Sequence, residues 1–270
     1  MMTLWPVTLI TFKEGIRNRA MYGIFIMALM LLIVNSLLCS MIPQEIGKVA
    51  VDIALSTVYF SGLLLVFFVG INLMAKDLDR RTIYMVISRP ISRSQYIVGK
   101  FFGMALLIIA AMAILSIFAV LSIYLIKLSY PGYFQRFSWP MVLLALAFSA
   151  LPLILLSAVS FLFASFTSSS FITLVLTMIA YIIGRSSYDV KTLIESAAAS
   201  RLDISSVTVK LAEIAYYLFP NLSAFDIKTQ AAHNLPVAGS YIVWVVLYAF
   251  VYISIVLTIA ALIFRRREFP

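Results

Sequence analysis

Charged residues in this chain are gathered between long apolar runs and are nearly absent within them. Six charge-free runs stand out, over residues 20–42, 53–74, 101–126, 139–163, 166–184 and 241–264. A helix needs roughly 20 apolar residues, at about 1.5 Å each, to cross a bilayer core about 30 Å thick. The pattern therefore predicts an all-α, polytopic membrane protein, a single domain over residues 1–270 with six transmembrane helices. The fifth run is the weakest, because it is short and Thr167, Ser168, Ser169 and Ser170 stand at its start.

Composition agrees with lipid as part of the solvent. Hydrophobic residues make up 63% of the 270 and charged residues 11%, against about 25% charged in soluble domains. The first apolar run has full spanning length and no short hydrophobic segment with a cleavage site precedes Lys13, so no cleavable signal peptide is expected. Cys39 is the lone cysteine and lies inside a run, which excludes a disulfide framework.

The net charge of +9 is unevenly placed. With six spans, Lys13, Arg17, Arg19, Lys76, Arg80, Arg81, Arg89, Arg93, Lys100 and Arg265–Arg267 fall on one side. The two short loops opposite carry only Lys48, Lys127 and Arg136. The positive-inside rule then puts both termini in the cytoplasm. The triplet Arg265–Arg267 supports the weak fifth span, since an odd number of spans would place it outside. No basic stripe lies on a soluble face, so nucleic acid is not an expected partner.

The segments outside the spans differ in character. Residues 1–19 place Trp5, Leu9, Phe12 and Ile16 in a narrow helical arc, the pattern of an amphipathic helix lying in the membrane interface. In the loop 75–100, Asp77 or Asp79 is placed to cap a short helix running to Ser88, which Arg89-Pro90 breaks. Ser92 with Gln95 then forms a capping-box pattern, so the third span is expected to begin as helix before its apolar part. The long loop 185–240 carries Val207, Leu211, Ile214 and Leu218 at helical spacing. Two readings stand for it: a small cap dipping into the outer leaflet, or a loop packed on its own spans.

Chemistry is sparse. His233 is the only histidine and no HExxH is present, which excludes a histidine-rich metal site. Gly99-Lys100 is followed by Phe101 and lacks the P-loop pattern, so this chain binds no ATP by that route. No ionisable residue falls inside the six runs, whereas ion-driven carriers place such groups at membrane depth. Any work of transport is then expected to come from another polypeptide. Asn35 and Asn72, polar within runs, are expected to bond between helices.

Thr11-Phe12-Lys13-Glu14 with Arg17-Asn18-Arg19, the stretch from Asp79-Arg80-Arg81-Thr82-Ile83 through Ser88-Arg89-Pro90-Ile91-Ser92-Arg93 to Gly99-Lys100, and the ending Phe264-Arg265-Arg266-Arg267 resemble one family. They are similar to the type-two ATP-binding-cassette permeases. The resemblance implies an exporter subunit of a bacterial inner membrane, paired with a second copy of itself and seated on two separate ATPase subunits. No cofactor would sit in this chain, since ATP and Mg²⁺ belong to the ATPase. Residues 1–19 would be the elbow helix, and Asp79, Arg80, Thr82, Tyr84, Arg89, Pro90 and Ser92 would form the ATPase-coupling element. The short loop Ala164–Ser170 would be a second, smaller contact. The length of 185–240 points to a contact with a periplasmic partner or a lid. The alternative function is a membrane anchor for a periplasmic assembly that moves nothing.

Overall fold

A computed structural model describes residues 4–41, 45–73, 92–135, 137–167, 169–195 and 206–266. They form nine α-helices: α1 (Leu4–Ile16), α2 (Arg19–Met41), α3 (Ile46–Leu73), α4 (Arg93–Ser129), α5 (Trp139–Phe166), α6 (Ser170–Glu195), α7 (Ser206–Leu218), α8 (Lys228–His233) and α9 (Gly239–Arg266). Helices α2 to α6 and α9 are long and apolar enough to cross a membrane. The chain is a multi-pass membrane protein. Six crossings bring the first and last described helices to the same end of the bundle, here the near end; α7 and α8 belong to the far end.

Local chemistry sets where the helices begin and stop. Asn18 starts α2 by accepting the Ala20 amide at 3.0 Å. Ser92 starts α4 through the capping box expected for it: the Gln95 amide donates to Ser92 Oγ at 3.2 Å, and the Ser92 amide donates to Gln95 Oε1 at 3.1 Å. From that cap α4 runs unbroken for 37 residues. Pro131 opens a short 3-10 turn after α4, and Pro140 sits in the first turn of α5, where its missing N–H costs nothing. Asn234 closes α8 in the left-handed region, at φ 51°.

Helices α3 and α5 form the centre, with 67% and 61% of their most apolar windows buried within the chain, against 28% for α2 and α6 and 17% for α9. The outer three turn Ile33, Phe171, Trp244 and Phe250 away from the protein, as lipid-facing helices do. Helices α2 and α3 are joined by Asn35, whose Nδ2 donates to the Ala50 carbonyl at 3.1 Å. That bond is interhelical, as the sequence predicts. Asn72 instead bonds the Phe68 carbonyl of its own helix. Helix α3 also contains a π-helical turn, Leu65–Gly70.

At the near end, α1 lies against α4. The contact is made of small and hydroxyl-bearing residues. Val7, Thr8, Thr11 and Gly15 are the buried face of α1. A β-carbon at Gly103 would meet Thr11 Cβ at 2.6 Å and the Thr8 carbonyl at 2.7 Å, so the backbones touch only because that position is glycine. Thr8 Oγ1 lies 3.1 Å from the Gly99 carbonyl. The apolar arc read from the sequence faces elsewhere. Trp5 and Ile16 are exposed, and Leu9 and Phe12 are half-buried.

Candidate functional site

Two clusters of polar groups among the described residues link different helices of the bundle. The first is the near-end base of α3 and α4. Lys100 is only 4% exposed, and its ammonium donates to the Leu73 carbonyl at 2.6 Å. A cation at the C-terminal end of α3 is favoured by the helix dipole as well as by the hydrogen bond. The same ammonium lies 5.4 Å from the Tyr96 ring centroid, and Tyr96 stacks on Phe264 of α9 at 6.2 Å. Lys100 therefore ties the end of α3 to the base of α4, whose start the Ser92 capping box fixes. Of the coupling residues expected from the sequence, Ser92 sits in this base as the N-cap of α4. Asp79, Arg80, Thr82, Tyr84, Arg89 and Pro90 lie outside the described residues. In the smaller loop expected at 164–170, the Thr167 and Thr173 hydroxyls lie 2.6 Å apart and pin the α5–α6 turn.

The second place is a cleft opening toward the far end, between α3, α5, α6 and the segment that follows α7. Its walls are Tyr59 of α3, Ala145, Ser149 and Pro152 of α5, Arg185 of α6, and Leu222, Phe225, Asp226, Ile227 and Lys228. Its empty space is ≈ 310 Å³ with the open mouth included, of which only ≈ 20 Å³ admits a water-sized molecule, room for about one water. Arg185 Nη2 donates to Asp226 Oδ2. Lys228 Nζ is 3.8 Å from the same carboxylate oxygen, 3.3 Å from Ser56 Oγ and 5.7 Å from the Tyr59 ring centroid. Tyr59 also lies beside Tyr181 of α6. The Asp226 and Lys228 side chains are 22% and 24% exposed.

The depth of this cluster follows from helix geometry. Tyr59 lies roughly 20 Å along α3 from Ile46, at about 1.5 Å per residue, which is near the middle of that helix. Asp226 and Lys228 reach this level because the chain after α7 turns back into the bundle. The Leu222 amide donates to the Gly184 carbonyl at 3.0 Å, and a β-carbon at Gly184 would meet the Pro220 carbonyl at 2.5 Å. Leu222, Phe225, Ile227 and Ala231 are buried there as an apolar plug.

Three tyrosines on one face of α9 hold the same strap. Tyr252 donates to the Leu218 carbonyl at 3.0 Å, Tyr248 accepts the Asn221 amide at 2.9 Å, and Tyr241 donates to the Ala224 carbonyl at 2.6 Å. Of the two sequence readings for 185–240, the loop packed on its own spans describes residues 219–233.

The structure corrects one expectation. Ionisable groups do fall within the helices long enough to span: the fifth run closes at Gly184 because Arg185 is charged, but α6 continues through it to Glu195 and its apolar span reaches Thr192. Arg185 finds its carboxylate 41 residues away, and Lys228 meets Ser56 across 172 residues. Tyr59 is visible in the sequence only as one aromatic among several. The α7 helix forms where the spacing of Val207, Leu211, Ile214 and Leu218 predicts it, with Leu211, Ile214 and Leu218 exposed. His233 is exposed, as expected, but it ends helix α8, beside the Thr229 carbonyl, rather than standing in a loop.

Two cations and one carboxylate share this narrow cleft. They can hold a movable segment, and they can recognise a negative charge. No protein-family model matches this sequence, and no curated protein matches it.

Proposed function

We propose that this chain is the membrane-spanning permease subunit of an ATP-driven transporter, of the type-two ATP-binding-cassette kind, exporting its cargo across a bacterial inner membrane. It works as two copies on two ATPase subunits, which bind ATP and Mg²⁺. The observation that carries this reading is the base of α4. A helix entering a membrane as a mechanical lever needs a fixed start and a fixed neighbour. Ser92 and Gln95 supply the first, and the bond from Lys100 to the Leu73 carbonyl supplies the second.

In this reading the ATPase pushes on the segment at 77–91, and the capped helix passes the push upward. Work enters only if the two states of the bundle differ in contact energy. The strap at the far end offers such a difference, since it is held by one ionic cluster and three tyrosine hydrogen bonds. Helix α1 lies along the inner leaflet with Trp5 and Ile16 toward lipid. Its tight seat on α4 makes it part of the same moving body.

The test is functional coupling. The chain carrying both Arg80→Glu and Arg89→Glu, reconstituted in vesicles with its ATPase, is expected to hydrolyse ATP without moving cargo. Purification of the native chain is expected to bring an ATP-binding-cassette ATPase with it. Normal coupling in the double variant removes the proposed docking residues, and purification without any ATPase removes the transporter reading.

A further inference from the structure

We infer that the far-end cleft is a binding site for an anionic oxo group, a phosphate or carboxylate, and that this anion competes with Asp226 for Arg185 and Lys228. The charges carry the inference. Asp226 pairs with Arg185 and lies 3.8 Å from Lys228, so the cluster holds two positive charges and one negative. An excess positive charge at membrane depth is costly unless a negative group offsets it.

The donors are in place. The guanidinium carries five N–H groups in a planar fork, and Asp226 takes up Nη2. The Lys228 ammonium has three donors, with Ser56 and Asp226 as its polar neighbours in the cleft. Both cations line the same cleft, whose other walls are mostly apolar (Leu222, Phe225, Pro152 and Ala145), with Tyr59 and Ser149 beside them. That combination suits an anion carried on an apolar body better than a free, fully hydrated ion.

Competition gives the site a second consequence. Asp226 and Lys228 both belong to the strap, whereas Arg185 belongs to α6. An arriving anion that takes Arg185 from Asp226 keeps the guanidinium compensated when the strap leaves. Pulling the strap away with nothing in its place leaves Arg185 unpaired, so the ligand lowers the cost of opening. The binding site does not depend on the ATPase. That the bound anion is also the cargo rests on the transport reading above.

Binding is measured on the full chain alone, in neutral detergent, by calorimetry and thermal shift. The probes are inorganic phosphate and dodecyl phosphate, with dodecyl maltoside as the uncharged control. Dodecyl phosphate is expected to bind, and Lys228→Gln to weaken it about tenfold, the value of a charge-assisted hydrogen bond. Asp226→Asn is expected to strengthen it by a similar factor, because the internal competitor is gone. Lys228→Arg keeps the charge and is expected to retain binding, which separates recognition from a folding defect.

Phosphate alone binding as well as dodecyl phosphate identifies a free anion as the ligand; preference for dodecyl phosphate identifies an amphiphile's headgroup. Either supports the site. Equal binding by wild type and Lys228→Gln, or Asp226→Asn and Lys228→Gln shifting affinity in the same direction, overturns it. Because no ATPase is present in this measurement, its failure leaves the coupling reading standing, and the reverse holds as well.

Discussion

The two ends of the bundle are held by different physics. At the near end, α1 meets α4 through glycine and threonine with the backbones in contact, and Lys100 is sealed against the end of α3. The Gly103 contact exchanges no partner without a steric penalty. At the far end the strap is held by hydrogen bonds and by charges that face a cleft. Each of those contacts can be replaced by a ligand or by water. Packing of small residues gives a joint that moves as one body, because interiors at native density deform little. Exchangeable polar contacts give a joint that opens. The contrast teaches where this molecule is built to stay closed and where it is built to part.

The largest effect is expected from Gly103→Leu. The new side chain starts where the Thr8 carbonyl and Thr11 already stand, and overpacking of this kind costs about 3 kcal/mol. Loss of folded protein on size-exclusion chromatography, or a large drop in melting temperature, is the expected readout. A variant that melts like wild type would show that the near-end joint is looser than described.

Tyr248→Phe is expected to act locally. It removes the partner of the Asn221 amide at a cost of about 1 kcal/mol. Maleimide labelling of Ala224→Cys then rises about fivefold when Tyr248→Phe is added, while the melting temperature hardly moves. Cys39 is fully buried, so its background labelling is low. A melting temperature that falls with no change in labelling would erase the contrast between the two ends.

Ser92→Ala is the mildest. Loss of the cap costs about 1 kcal/mol, spread over the first turn of α4. Faster hydrogen exchange at Arg93–Tyr96 without a change at Gly103 is the expected result. Faster exchange along the whole of α4 would mean the cap, rather than the glycine contact, secures the near end.

What the sequence disclosed follows the reach of each interaction. Ser92 and Gln95 are three residues apart, so the capping box is local and legible. The long runs announce the spans, and the helical spacing from Val207 to Leu218 announces α7. Arg185 with Asp226 is a different kind of fact. A charge at the edge of an apolar run reads as the edge of the membrane, and nothing nearby says that a carboxylate returns to meet it. The glycine pair at 99 and 103 sits in plain view with the spacing of a tight helix contact, but the partner surface on α1 shows only as two threonines beside a more conspicuous apolar arc. Polar and small residues decide the contacts here, and hydropathy weighs them least.

The π turn at Leu65–Gly70 makes α3 two helices of different phase on one axis. Its far half presents Ala50 to Asn35 and Tyr59 to the cleft, and its near half presents the Leu73 carbonyl to Lys100. A π turn holds one residue more than the α-helix allows, and each α-helical residue advances the face by about 100°. A chain shorter by one residue in this turn would have the same hydropathy profile and the same six crossings. Its near half would be rotated by about a quarter turn against its far half. The two polar sites would then no longer both find their partners on one straight helix. Alignments of related chains that slide a gap through Leu65–Gly70 would therefore be comparing different molecules.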